Sequence, residues 1–123
     1  MKKPAAILSA LSLLACAALA RQSGTQKPPD TYNGEIFDTQ CAEQASHEAM
    51  EDTRQLPKDA KQCVLFCVKN GARLVLYDSG NRISYALDDQ AKALEFAGRQ
   101  VQITGTLDTF TNTLHVVHVA GVQ

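Results

Sequence analysis

Three cysteines and one histidine are the side chains of this sequence that are best suited to chemistry. Cys41, His47, Cys63 and Cys67 follow one another with the spacing C-x5-H-x15-C-x3-C. Thiolates and imidazole are preferred ligands of zinc, and thiolates with a thioether suit copper(I). The four side chains are therefore a candidate Cys3His zinc site, or with Met50 a candidate copper(I) site, although the spacing matches no zinc finger.

The N-terminus predicts that the chain is exported from a bacterial cell. A basic start, Met1–Lys3, precedes an uncharged, Ala- and Leu-rich run from Pro4 to Ala20, which is the pattern of a signal peptide. Two cleavage sites compete. Leu13–Cys16 resembles a lipobox, which predicts cleavage before Cys16 and a lipid on that cysteine, whereas Ala18–Ala20 resembles the site of ordinary signal peptidase. The first predicts a lipid-anchored protein of the cell envelope, and the second a soluble periplasmic or secreted one.

Export gives the cysteines a second interpretation, because an oxidising compartment favours disulfides. A bond between Cys63 and Cys67, one helical turn apart, would be strained. We therefore expect Cys41 to pair with Cys67, or else with Cys63. Closing a loop of roughly 25 residues is worth about 3 kcal/mol, and one thiol would be left over. A third interpretation, thiol exchange, is weaker because the redox motif is C-x2-C and the gap here is one residue longer.

The net charge of the mature chain limits the classes of binding partner. Removal of Lys2 and Lys3 from the 12 basic side chains leaves 10 against 13 acidic ones, a net charge near −3. Nucleic-acid binding depends on basic contacts to phosphate, so the charge argues against it. Membrane contact is expected only through a lipid anchor. The expected partner is an unknown envelope protein or a small ligand.

No serine, histidine and acid form a recognisable catalytic arrangement, which argues against an enzyme.

His115 and His118 are three residues apart on a predicted strand, so we expect them on opposite faces, where they cannot share a metal ion.

The elements that would position the cysteines begin after a polar linker, residues 21–30, and form one domain over residues 31–123. Thr31–Asp38 is a predicted first strand, and Gln40–Arg54 is compatible with a helix. Asp59–Asn70 has the apolar spacing of a clearer helix, which Gly71 ends. This helical segment carries all three cysteines of the domain.

After Gly71 the spacing of apolar residues changes to the pattern that is typical of β-strands. Ala72–Asp78 and Arg82–Leu87 form a predicted hairpin, and Asp88 or Asp89 caps a short helix that runs to Phe96. Gln100–Leu107 and Thr113–Val122 are the last two strands. The fold class is β-rich α+β. The order predicts a five-stranded OB-like barrel, with a helical, cysteine-bearing insert after strand 1 and a short helix between strands 3 and 4.

Three segments resemble a family of small exported bacterial domains of unknown function: GEIFDTQC (Gly34–Cys41), CVLFCVKNGARLVLYD (Cys63–Asp78) and AGRQVQITGTLDTFTNTLHVVHV (Ala97–Val119). The resemblance implies an OB-like barrel in which a cysteine follows the first strand and a C-x3-C helix leads into a Gly-Ala and a strand. The corresponding residues here are Cys41, His47, Cys63, Cys67, Gly71 and Ala72, with His47 farther from Cys41 than is usual in that family. The resemblance implies no activity.

Together these patterns predict a non-enzymatic binding or accessory module of the bacterial cell envelope, which needs no cofactor. A zinc- or copper-binding protein is the alternative, and an exported thiol oxidoreductase is the third.

Overall fold

The structure is a computed structural model that describes residues 27–48 and 59–123. The predicted signal peptide, Cys16 and Met50 lie outside the described residues. Among the described residues, no helix is long and apolar enough to cross a membrane.

The described residues contain five strands and three complete helices. The strands are β1 (Asp30–Asp38), β2 (Leu74–Asp78), β3 (Ile83–Leu87), β4 (Gln100–Asp108) and β5 (Thr113–Gly121). The helices are α1 (Thr39–Gln44) and α2 (Ala60–Lys69), both between β1 and β2, and α3 (Gln90–Leu94), between β3 and β4. The β-rich α+β class and the order of strands and helices are therefore confirmed.

The five strands form one mixed sheet whose hydrogen bonds close a ring in the order β1-β2-β3-β5-β4. β1 closes the ring because its two ends pair with different neighbours: Asp30–Glu35 with β4, and Glu35–Asp38 with β2. All pairs are antiparallel except β3 with β5.

The sheet has two separate hydrophobic clusters, because alternate residues of a strand point to opposite faces. Ile36, Leu74 and Leu76 are buried in the larger cluster, together with residues of every other strand and of α3. Their neighbours Phe37, Val75 and Tyr77 belong to a smaller cluster that also contains Cys41, Cys63 and Cys67. The cysteines thus lie where α1 and α2 cover β1 and β2.

The predicted helix over Gln40–Arg54 is interrupted: α1 ends at Gln44, and helical backbone begins again at His47 and Glu48. Residues 49–54 of the prediction lie outside the described residues. Ala45 adopts the left-handed conformation (φ 55°), and its N–H donates to the carbonyl oxygens of Ala42 and Cys41. Such a residue ends a helix. Ala at this position gives no sequence signal for it, since glycine is the residue that usually adopts this conformation.

Helix α2 has the bounds that the sequence predicts, and the segment before β4 packs against it. Asp59 caps α2 by accepting a hydrogen bond from the N–H of Gln62, and Gly71 follows with a positive φ of 99°. Gly98 also has a positive φ, and a Cβ there would lie 2.5 Å from the backbone nitrogen of Lys61. Glycine at position 98 therefore lets the chain before β4 pass against the first turn of α2.

Of the two aspartates predicted as alternative caps of α3, Asp89 is the cap, and it accepts a hydrogen bond from the N–H of Lys92. Asp88 instead binds β5: its carboxylate accepts a hydrogen bond from the N–H of Val116 and contacts Nδ1 of His115 at 3.0 Å. These two contacts tie the end of β3 to β5.

The prediction that His115 and His118 point to opposite faces of their strand is wrong. Both side chains are exposed. The pairing of β4 with β5 shifts register between Thr104 and Gly105, where a β-bulge interrupts the alternation. An extra residue in one strand reverses the face of every residue beyond it, so His118 returns to the exposed side.

Candidate metal site

The candidate site is assembled around Cys41, the buried cysteine of α1. Asp38 ends β1 and caps α1, because its Oδ1 accepts hydrogen bonds from the N–H groups of Gln40 and Cys41 at 2.9 and 3.0 Å. An aspartate is favoured at this position because it satisfies N–H groups that have no partner within the helix. The cap orders the first turn of the helix, from which the Cys41 side chain projects.

Helix α2 brings the other two cysteines to the same place. Cys63 and Cys67 are one turn apart on its buried face, so both point into the smaller hydrophobic cluster. The Sγ atoms of Cys41 and Cys63 are 3.6 Å apart. The three cysteines are 0 to 1 % exposed, and none of the three is joined to another by a disulfide.

The left-handed Ala45 brings His47 back toward these sulfurs. In a continuous helix, six residues would advance the chain by about 9 Å and turn it through about 240°, which would place His47 away from Cys41. Because the helix ends at Ala45, the imidazole instead packs on Phe37, with ring centroids 4.2 Å apart. One ligand atom each of Cys41, His47 and Cys63 lie within 4.8 Å of one another.

The two nitrogens of His47 have different surroundings. Nε2 is 2.8 Å from Oε1 of Glu35, and the two side chains are only 12 % and 21 % exposed. Nδ1 is buried and has no hydrogen-bond partner among the described residues. A carboxylate that accepts from one ring nitrogen fixes the proton there and leaves the other nitrogen as a ligand, which is the usual second-shell arrangement of metal-binding histidines.

Cys67, the fourth predicted ligand, belongs to a second group. It lies with Asp38 and Cys41, again with one ligand atom of each within 4.8 Å of the others. Asp38 is completely buried, and its Oδ2 has no hydrogen-bond partner within residues 27–48 and 59–123. Cys41 is therefore shared by two groups, each of which contains a buried polar atom that the described chain leaves without a partner.

The thiols of Cys41 and Cys67 are held in their protonated form. Burial, with the Asp38 carboxylate nearby, raises the pKa of the Cys41 thiol far above its ordinary value. The same causes raise the pKa of Cys67 to about 11. Since only the thiolate is a nucleophile, neither thiol is activated for exchange chemistry at neutral pH. A metal ion that binds here must displace protons.

The sequence indicated Cys41, His47, Cys63 and Cys67 but missed the two carboxylates beside them. Asp38 stands three residues before Cys41, which is the spacing of a helix cap, and that pattern could have pointed to it. Glu35 gives no such signal, because its contact with His47 depends on the chain reversal at Ala45.

A separate recess of about 540 Å³ lies on the sheet between the segment Lys27–Pro29 and the contact of Asp88 with His115. It shares no residue with the cysteine cluster. Tyr77 is buried against Phe37, with ring centroids 4.8 Å apart. Tyr85 makes an edge contact with Tyr32 at 5.6 Å.

Comparisons with protein-family models, with curated proteins and with solved structures found no match to this chain. The resemblance to a family of small exported domains therefore stays a prediction, and the function has to be argued from the site.

Proposed function

We propose that this chain is a metal-binding module of the bacterial cell envelope, which holds one Zn²⁺ or Cu⁺ ion with Cys41, His47 and Cys63. The observation that carries the proposal is the buried Nδ1 of His47, which has no hydrogen-bond partner in the described part of the chain and belongs to a residue grouped with two cysteines. A buried polar atom without a partner costs free energy. A bound cation would remove that cost.

The separation of the sulfurs is compatible with a zinc ion bound between them. Two thiolates at about 2.3 Å from a tetrahedral zinc ion stand about 3.8 Å apart. The sulfurs of Cys41 and Cys63 are 3.6 Å apart, far from the roughly 2.05 Å of a disulfide. Two thiolates and a neutral imidazole also cancel the charge of Zn²⁺, which favours binding in a buried site. Cys67 and Asp38, which are grouped with Cys41, are the candidates for the fourth position.

The module itself is proposed to be a non-enzymatic OB-like barrel that is exported through the predicted signal peptide. A closed ring of five strands, with a helix between β3 and β4, supports the OB-like interpretation. Anchoring by a lipid on Cys16, or release after Ala20, are the two alternatives for its location, and an envelope protein is its proposed partner.

Metal titration of the purified, reduced protein tests the proposal. We expect one zinc or copper(I) ion per chain, and Co²⁺ in its place should give thiolate-to-metal charge-transfer bands. Alanine at Cys41 or Cys63 should weaken those bands, because each variant loses a thiolate ligand, and alanine at His47 should weaken cobalt binding and shift its spectrum. The matched control is His118→Ala, which removes an exposed histidine and should leave them unchanged. A His47→Ala variant that binds Co²⁺ with an unchanged spectrum would contradict the proposed ligand set.

A structural disulfide is the second candidate role of the cysteines. The sulfurs of Cys41 and Cys63, 3.6 Å apart, would have to approach by about 1.5 Å to form a disulfide, and that bond would close a loop worth about 3 kcal/mol. Intact mass of the protein from its native host, before and after alkylation, distinguishes the two roles. A purified chain with three reduced thiols and a bound ion supports the metal site, whereas one disulfide and one remaining thiol support the structural disulfide.

A further inference from the structure

Cys63, whose sulfur lies beside that of Cys41 in the candidate site, is also a suitable redox partner. The Sγ atoms of Cys41 and Cys63 must approach by about 1.5 Å to reach the bonding distance of a disulfide, from a separation of 3.6 Å. The two cysteines come from different helices, and α1 is only six residues long, ending at the left-handed Ala45. A short helix with so few backbone hydrogen bonds can shift at low cost.

Cys41 is the residue whose loss would affect the site most. It belongs both to the group with His47 and Cys63 and to the group with Asp38 and Cys67. A disulfide between Cys41 and Cys63 would remove two of the three proposed ligands of the first group. It would also remove the only residue that the second group shares with the first.

From this geometry we infer that the site is a redox-controlled metal site, in which a small peroxide joins Cys41 to Cys63 and releases the bound ion. This inference rests on the proposed function. It also accounts for the odd number of cysteines, because Cys67 remains a thiol when Cys41 and Cys63 form a disulfide.

The reaction is balanced with hydrogen peroxide as the oxidant. One metal-bound thiolate attacks a peroxide oxygen, so that an S–O bond forms, the O–O bond breaks and the departing hydroxide takes a proton to become water. The second thiolate then attacks the sulfur of this sulfenic acid and expels a second hydroxide, which is protonated to water. Two electrons pass from the two sulfurs to the peroxide, two protons are consumed, both metal–sulfur bonds break, and the Zn²⁺ ion leaves unchanged in oxidation state.

The burial of the site favours an oxidant of this size. The cysteines are at most 1 % exposed, so a bulky disulfide cannot reach the sulfurs in this arrangement. A peroxide is close to water in size and needs only a small opening of the helices.

The test is peroxide titration of the purified, zinc-loaded protein in the absence of oxygen. A chromophoric chelator in solution follows zinc release, and peptide mapping without reduction identifies the bonded cysteines. We expect one zinc ion released for each peroxide consumed, a Cys41–Cys63 disulfide, and recovery of zinc binding after reduction. The matched control is His118→Ala, which removes an exposed histidine outside the site and should release zinc with the same stoichiometry.

The possible outcomes distinguish a failure of the redox inference from a failure of the proposed metal site. Zinc that stays bound after peroxide treatment, or a disulfide that contains Cys67, would overturn the redox inference and leave the metal site standing. A reduced protein that takes up no zinc before peroxide is added would overturn the metal site and the inference together.

Discussion

Replacing Glu35 with alanine is expected to weaken zinc binding by about 10- to 100-fold without a large change in the fold. Glu35 contacts Nε2 of His47 at 2.8 Å, a length typical of a charge-assisted hydrogen bond. Its other carboxylate oxygen accepts a hydrogen bond from Gln100 at 3.0 Å, so the carboxylate is itself held in place. Loss of such a second-shell partner typically costs metal affinity by about 10- to 100-fold.

This loss corresponds to about 1.4 to 2.7 kcal/mol of binding free energy. Competition titration of the metal-free, reduced protein against a chelator of known affinity measures it. Glu35→Gln should lose less than Glu35→Ala, because the amide oxygen still accepts from Nε2. Glu43→Ala, which removes an exposed glutamate of α1, is the matched control. Equal zinc affinities of Glu35→Ala and Glu43→Ala would refute the reasoning that Glu35 orients His47.

Four further predictions test the elements that position the site. Ala45→Val should weaken zinc binding while Ala45→Gly should preserve it, because a β-branched residue disfavours the left-handed conformation that glycine adopts freely; the same chelator competition measures both. Gly98→Ala should lower the free energy of unfolding by about 2 kcal/mol or more in urea denaturation, since it adds a Cβ at positive φ against α2. Asp59→Ala should cost about 1 kcal/mol by the same measurement, because it removes the cap of α2. Burial opposes ionisation of Asp88, but the N–H of Val116 and His115 outweigh it and lower the pKa of this carboxyl. Its contribution to stability is therefore present above the ordinary pKa of about 3.9 and lost as the pH falls through the lower folded value. Thermal unfolding between pH 6 and pH 2 should show a smaller acid destabilisation in Asp88→Asn than in the parent protein.

The parts of the fold that the sequence predicted well are those in which local pattern and tertiary packing agree. Helix α2 is an example, because its apolar spacing, its cap at Asp59 and the glycine after it all indicate the same bounds. The sequence alone therefore suffices to place Cys63 and Cys67 on one buried face.

The parts that could not be predicted depend on single irregular residues. Ala45 is left-handed without being glycine, and the register shift between Thr104 and Gly105 has no clear local marker. Each of them changes where side chains beyond it point. The first brings His47 to Glu35 and the cysteines, and the second puts His115 and His118 on the same exposed side of β5.

The position of the cysteines outside the main core has a consequence for how the protein would respond to metal or oxidant. Ile36, Leu74 and Leu76 of β1 and β2 are buried with residues of the other strands. The intervening Phe37, Val75 and Tyr77 pack with the cysteines beneath α1 and α2. The two faces of β1 and β2 thus pack in two separate clusters, one with the other strands and one with the cysteines. Because the buried residues of the larger cluster come from every strand and none from α1, a change in the bonds of Cys41 should move the short helix α1 before it disturbs the sheet.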